Sequence, residues 1–494
     1  MSVLTPSTAA TGDAATPAGD PELSKFGYTP QLRRSLTFTD LLFYGLIYMV
    51  PIAPFAIFGS VYATSQGMVA LAYVAGLVVM LFTASSYAQM IKAFPIAGSV
   101  YNYAGRGIAA PVGFIAGWAI MLDYFLVPGL LYLVASVTIE AAVPAVSSWI
   151  WLVGFVAINA VINYFGIRLT AVAINIMIAG EILVLGIFLV MGVIGLADGR
   201  GNGDWTTAFF NSDNFSFGIV LGSVSVAALS FLGFDGISML AEESKGGSRQ
   251  VGRAMGVVLL LAGLIFIAQT WVASLFVTDP AGLINGDAAT VGNAFYAAAE
   301  VAAGAPWLAT LCLVATAIAW GLPDSMVAQT ALSRLLFAMA RDRQLPKFLA
   351  KVSSKHASPV NAVLFTAAVS LAISGTALYY LTEKGEDTIT LIATMVNFGA
   401  MVAWLALHAA VIWHYVVRNG SRNWLLHLVV PVVGAGLLVA VLINMKLYTQ
   451  VTGFIWIGLG LVVLAVLYAI GRPPTLSGAG TAPQPEPAKP VDAA

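Results

Sequence analysis

The 494-residue chain is 59% hydrophobic and only 9% charged, with a mean hydropathy of +0.89, which excludes an ordinary water-soluble globular domain. A formal net charge of −1 offers no electrostatic footprint for nucleic acid, the lone Cys312 excludes an intramolecular disulfide, and four scattered histidines give no metal-ligand spacing. No cofactor or metal is expected. Residues 1–35 are rich in Ala, Thr and Pro, hold no apolar signal-peptide core and include Asp13, Asp20 and Glu22; they are expected to form a disordered cytoplasmic tail, as are residues 473–494. Between the tails, residues 36–472 are expected to form one transmembrane domain. Apolar stretches long enough to cross a bilayer, about 20 residues each at helical rise, centre near Pro51, Val79, Asp123, Phe155, Leu183, Ser230, Leu264, Ile318, Phe365, Ala403, Leu437 and Leu461. The expected fold class is an all-α membrane protein with twelve transmembrane helices.

The first stretch is interrupted at Tyr48-Met49-Val50-Pro51-Ile52-Ala53-Pro54, and the sixth at Phe231-Leu232-Gly233-Phe234-Asp235-Gly236. Broken spans in matching places of two halves point to the midplane binding site of a secondary transporter. Pro51 and Pro54 lack an N–H, and a proline inside a helix clashes with the carbonyl one turn earlier, so acceptors near Ile47 and Val50 are expected to be freed. The competing reading is a kink that only bends a packed helix. Gly233 and Gly236 flank Phe234-Asp235 in a very apolar setting, and two helix-weakening glycines around an acid favour a functional break.

Spans one and six open two consecutive sets of five and enter the membrane from opposite sides because five is odd. That is a five-plus-five inverted repeat, with broken helices 1 and 6, repeats at about residues 40–196 and 217–416, and two extra helices at about 424–471. With a cytoplasmic amino terminus, all of the 22 Lys and Arg except Arg200, Lys384 and Lys446 fall inside, so both termini of this multi-pass cell-membrane protein are expected to be cytoplasmic. The pair Gly113 and Gly117 has the small-xxx-small spacing of close helix packing.

Asp123, Glu181, Asp235 and Asp324 all lie near the centres of their spans, where ionisable groups are costly, and no Lys or Arg lies equally deep. Such acids must be protonated, hydrated or partnered by something outside the chain, and a proton or a cationic substrate fits that vacancy. The alternative for any one of them is a protonated group bonded to a neighbouring helix. Tyr48, Phe55, Trp118, Tyr124, Phe231, Phe234, Trp320 and Trp404 stand nearby in sequence; aromatic faces attract ammonium groups, and Tyr124 and Phe231 are the first candidates for that role. No Gly-x-Ser-x-Gly elbow or His-Glu-x-x-His pair supports a membrane enzyme.

Four motifs carry a family resemblance. They are Pro95-Ile-Ala-Gly98-Ser-Val-Tyr101-Asn-Tyr103; Ser230-Phe-Leu-Gly-Phe-Asp235 with Ala241-Glu242-Glu243; Ser333-Arg334-Leu-Leu-Phe-Ala-Met339-Ala-Arg341-Asp342 with Leu345-Pro346; and Val396-Asn397-Phe398-Gly399-Ala400. The chain resembles the amino acid/polyamine/organocation permease superfamily over about residues 33–470. That resemblance implies the five-plus-five fold and a substrate site between spans one and six. Amino acid permeases of the superfamily usually carry a Gly-x-Gly-like break in span one, whose N–H groups hold the substrate α-carboxylate. Here Pro51-Ile52-Ala53 stands instead, which is similar to the putrescine importer branch, as are Leu122-Asp123-Tyr124 and Gly233-Phe234-Asp235. The substrate site is therefore expected at Tyr48, Val50, Pro51, Ala53, Asp123, Tyr124, Phe231, Gly233, Phe234, Asp235 and Asp324. Glu181 matches a span-five position that is ionisable in some proton-coupled relatives and is the expected coupling site. The expected function is proton-coupled import of a small organic cation such as putrescine; the alternatives are a permease or exchanger for neutral or cationic amino acids and, more distantly, a membrane enzyme or transporter-like sensor. Partners are the amine or amino acid, protons and the lipid bilayer.

Overall fold

A computed structural model of the chain describes residues 36–95, 99–165, 170–241, 244–341, 345–351, 359–385 and 388–475. The expected tails at 1–35 and beyond 475, and Ile96, Ala97, Gly98, Glu242, Glu243 and Asp342 of the quoted motifs, lie outside the described residues. In chain order the helices are α1 (Phe38–Met49), α2 (Pro54–Thr64), α3 (Val69–Ala93), α4 (Ser99–Gly107), α5 (Ala110–Ala142), α6 (Ser148–Phe165), α7 (Thr170–Ala197), α8 (Phe217–Ala227), α9 (Gly247–Ser274), α10 (Pro280–Ile284), α11 (Ala288–Ala303), α12 (Trp307–Ala319), α13 (Ser325–Arg341), α14 (Val360–Lys384), α15 (Thr388–Val411), α16 (Val430–Asn444) and α17 (Leu447–Ala469). Among the described residues ten helical stretches are long and apolar enough to cross a bilayer, or eleven when α1 and α2 count as one bent span. The apolar helix α6 is shorter. The fold is all-helical among the described residues, and the sequence expectation of a multi-pass membrane protein agrees with it.

Span one begins with a capping box, in which Thr37 and Asp40 satisfy each other's backbone N–H groups, and ends where Val50 takes φ +48°, a backbone region that β-branched residues rarely occupy. Because Pro51 and Pro54 donate nothing, the chain turns here and α2 leaves at 57° to α1. Beyond α8 the chain passes through two 3₁₀ turns, Ala228–Phe231 and Phe234–Leu240, joined through Gly233 at φ +100°. A third irregularity is absent from the sequence expectation: a π-helical turn, Trp320–Asp324, separates α12 from α13. Pro323 sits inside that turn and lacks the N–H that would close an ordinary helical ring onto Ala319.

Packing explains most of the interior glycines. A Cβ on Gly113 would lie 2.6 Å from the Gly105 Cα, and one on Gly117 would lie 3.0 Å from the Tyr101 ring, so this pair does permit close approach of α4 to α5. Helices α3 and α9 lie along one another, as do α5 and α15, and an isolated bridge between Leu36 and Ser244 ties the start of span one to the start of α9.

Candidate functional site

Where the two broken spans meet, Tyr48 lies flat against the glycines of span six. A Cβ on Gly233 would come within 2.5 Å of the Tyr48 carbonyl oxygen, and one on Gly236 would meet the ring at 2.4 Å. These glycines therefore do more than loosen a helix: they let the Tyr48 ring and backbone settle on the break, and Gly233 also supplies the positive φ. The resulting turn places the Asp235 carboxyl beside the N–H groups of Asp235 and Gly236 and within 3.2 Å of the Tyr87 hydroxyl, which donates to it. Tyr87 also accepts from Trp404 Nε1 at 3.2 Å and shares a hydrogen bond with Ser99 at 3.2 Å.

A narrow cavity of about 40 Å³ opens beside this turn, far below the roughly 300–1,000 Å³ typical of drug-sized sites. It is lined by Tyr48, Met49, Ala53, Asp123, Tyr124, Val127, Leu131, Leu229, Leu232, Gly233, Asp235, Trp320 and Asp324. Helix α5 brings Asp123 and Tyr124, and the π-turn brings Trp320 and Asp324. Asp123, Asp235 and Asp324 are only 4%, 3% and 8% exposed, so the charge each would carry has little access to water. Asp123 interacts electrostatically with Asp235, and Asp324 with Glu181. Among the described residues no Lys or Arg lines the cavity.

Seven of the expected site residues meet here: Tyr48, Ala53, Asp123, Tyr124, Gly233, Asp235 and Asp324. Four do not line it. Phe231, expected beside the substrate stem, turns away from this lining to pack on Tyr73 and Phe266, with ring centroids 6.0 and 5.4 Å apart. Phe234 packs edge-on against Tyr87 and tilted against Trp404. The 3₁₀ turns before and after Gly233 shift the angular phase of both residues away from what an α-helix would give. Val50 and Pro51 shape the bend without lining the cavity, and the carbonyls expected to be free are partnered. Ile47 O accepts from Val50 N, Val50 O from Ala53 N, and Pro51 O from Gln269 Nε2 at 2.9 Å. Two aromatics singled out in the sequence also pack elsewhere: Phe55 stacks on Phe295 at 3.9 Å, and Trp118 stacks on Trp456 at 4.9 Å.

Glu181 is buried on α7 outside the cavity lining, and its Oε2 has no hydrogen-bond partner among the described residues. Sequence reasoning missed Tyr87 and the apolar wall of Met49, Val127, Leu131, Leu229 and Leu232. Only the proximity of Tyr87 to the Pro95–Tyr103 motif hinted at a role.

A family model described as amino acid permease matches residues 36–471. The chain belongs to the amino acid permease family. The permease is 31% identical to the low-affinity putrescine importer PlaP of Escherichia coli K12 over 453 residues, 90% of this chain and 96% of that protein. It is 24% identical to the branched-chain amino acid permease BcaP of Bacillus subtilis over 402 residues, covering 77% of this chain and 81% of that one. Similarity extends to the methylthioribose transporter of B. subtilis, 25% identical over 474 residues, or 89% and 95% of the two chains. Family and relatives alike point to a membrane transporter rather than an enzyme.

Proposed function

We propose that the permease is a proton-coupled secondary active importer of a small organic cation, with putrescine or a related diamine as substrate. The observation that carries this is the convergence of Asp123, Asp235 and Asp324 on one narrow cavity that no Lys or Arg lines among the described residues. An ammonium group would sit between Asp235 and Asp123, the Tyr124 and Tyr48 rings would cover the alkyl stem, and Asp324 would receive a second ammonium. A slim, unbranched ligand suits so narrow a slot, and the bundle holding spans one and six would open against the rest to admit it. Glu181 would carry the coupling proton, since its carboxyl is buried, lacks a hydrogen-bond partner among the described residues and lies within electrostatic reach of the cavity acid Asp324.

The transmembrane domain would span residues 36–472 with twelve helices, α6 included, in two inverted sets of five plus two, and both termini in the cytoplasm. The bent pair α1–α2, and α8 with the 3₁₀ turns that follow it, would be the corresponding first members of the two sets.

A second function, uptake of amino acids, is favoured by relatives such as BcaP. Against it stands the state of span one: Pro51 and Pro54 have no N–H, and Val50, Ala53 and Phe55 spend theirs on local turns to Ile47, Val50 and Ile52. Few donors remain for an α-carboxylate. Binding of labelled putrescine and of a labelled neutral amino acid to the purified permease separates the two: saturable putrescine binding that diamines but not neutral amino acids displace supports the amine importer, and saturable binding of the amino acid with none of putrescine supports the amino acid permease.

A further inference from the structure

The acid that would take the second ammonium sits on the most irregular part of the bundle. Across the π-turn Trp320–Asp324, Pro323 has no N–H to give, and the Gly321 carbonyl is held from outside the turn. Asn159 Nδ2 lies 3.0 Å from Gly321 O, 2.7 Å from Ser325 Oγ and 3.0 Å from Tyr132 Oη, sharing its two hydrogens among the three, while Ser325 Oγ donates to Gly321 O at 2.8 Å. Asn159 is fully buried on α6, and one turn earlier the Phe155 ring fills the space over Gly321, where a Cβ would come within 2.8 Å of it. Span four thus grips the π-turn at its carbonyl and at its glycine. The same turn puts both Trp320 and Asp324 in the wall of the cavity.

We propose that Asn159 is a positioning residue for Asp324: by holding the Gly321 carbonyl it fixes the π-turn, and through it the place of the second ammonium, so that it sets the preference for diamines over monoamines. This deepens the function proposed above and rests on it. A ligand with one ammonium is served by Asp235 and Asp123 and does not call on the carboxyl of Asp324. A ligand with two must match the spacing from that pair to Asp324, which a relaxed turn would alter.

The test is uptake of labelled putrescine and labelled 1-aminobutane into proteoliposomes containing the full chain, with KM and maximal rate measured separately. For Asn159→Leu, the KM for putrescine is expected to rise about tenfold, the scale of one lost charged hydrogen bond, while the KM for 1-aminobutane stays unchanged. Ser325→Ala, which removes one of the two side-chain donors to the Gly321 carbonyl, should move the putrescine KM in the same direction by less, and it decides the matter if Asn159→Leu does not fold. Asn163→Leu is the control, because Asn163 sits one turn further along α6 and binds Gln329, Thr330 and Met326 rather than the π-turn. An equal change for both amines, no change for either, or the same shift from Asn163→Leu would overturn the role of Asn159. A wild-type protein that does not favour the diamine would overturn the diamine importer itself, before any variant is compared.

Discussion

Replacing Gly233 with alanine tests the junction of the two broken spans. The new Cβ would lie 2.5 Å from the Tyr48 carbonyl oxygen and 2.7 Å from its Cδ1, and the residue would have to hold φ +100°. A side chain in that backbone region costs about 1–2 kcal/mol, and forcing a methyl into a filled interior costs about 1–3 kcal/mol more. Together these give roughly 2–5 kcal/mol, because the obstructing atom is backbone and cannot swing aside like a side-chain tip. Gly154→Ala on α6 provides the opposite sign: nothing lies within 4 Å of its Cβ and no positive φ is needed, so the substitution should be neutral or stabilising by up to about 1 kcal/mol. Thermal unfolding of both variants in detergent, followed by intrinsic fluorescence, reads the contrast, and uptake assays show whether the Asp235 turn survives. A Gly233→Ala protein that melts with the wild type and transports at full rate would refute the proposed contact between Tyr48 and span six.

Asp235→Asn is expected to abolish uptake, whereas Tyr87→Phe, which removes the hydroxyl 3.2 Å from that carboxyl, should lower affinity without abolishing transport; titration of substrate binding distinguishes them. Glu181→Gln should remove the dependence of uptake on an imposed pH gradient and leave binding intact, and an unchanged gradient response would eliminate Glu181 as the coupling site. Phe231→Ala should destabilise by about 3–5 kcal/mol through the cavity left beside Tyr73 and Phe266. Its ratio of putrescine to amino acid affinity should not move, since the ring does not line the slot.

Composition and hydropathy made the helical membrane fold legible, because a bilayer demands long apolar helices whatever their packing. The break in span one was written in Pro51 and Pro54, and depth grouped Asp123, Glu181, Asp235 and Asp324 as candidates, of which all but Glu181 line the cavity. Side-chain direction was not legible in the same way. Phe231 was placed by its spacing from Asp235 and Phe234 by its adjacency to that acid, and the 3₁₀ turns around Gly233 change the direction in which both point. The carbonyls near Pro51 were expected to be open, yet local turns and Gln269 from a helix more than 200 residues away take them up. Gly321 and Pro323 were visible in span eight, but the π-turn depends on Asn159 supplying a donor from another helix, and single-sequence periodicity does not register a tertiary partner.

The central claim is that the acidic slot serves amines. Uptake of labelled putrescine into proteoliposomes, set against a panel of neutral and cationic amino acids with and without an inside-alkaline pH gradient, tests it most directly. A diamine importer predicts saturable putrescine uptake that the gradient accelerates and amino acids fail to compete. Gradient-driven uptake of amino acids with none of putrescine would contradict it.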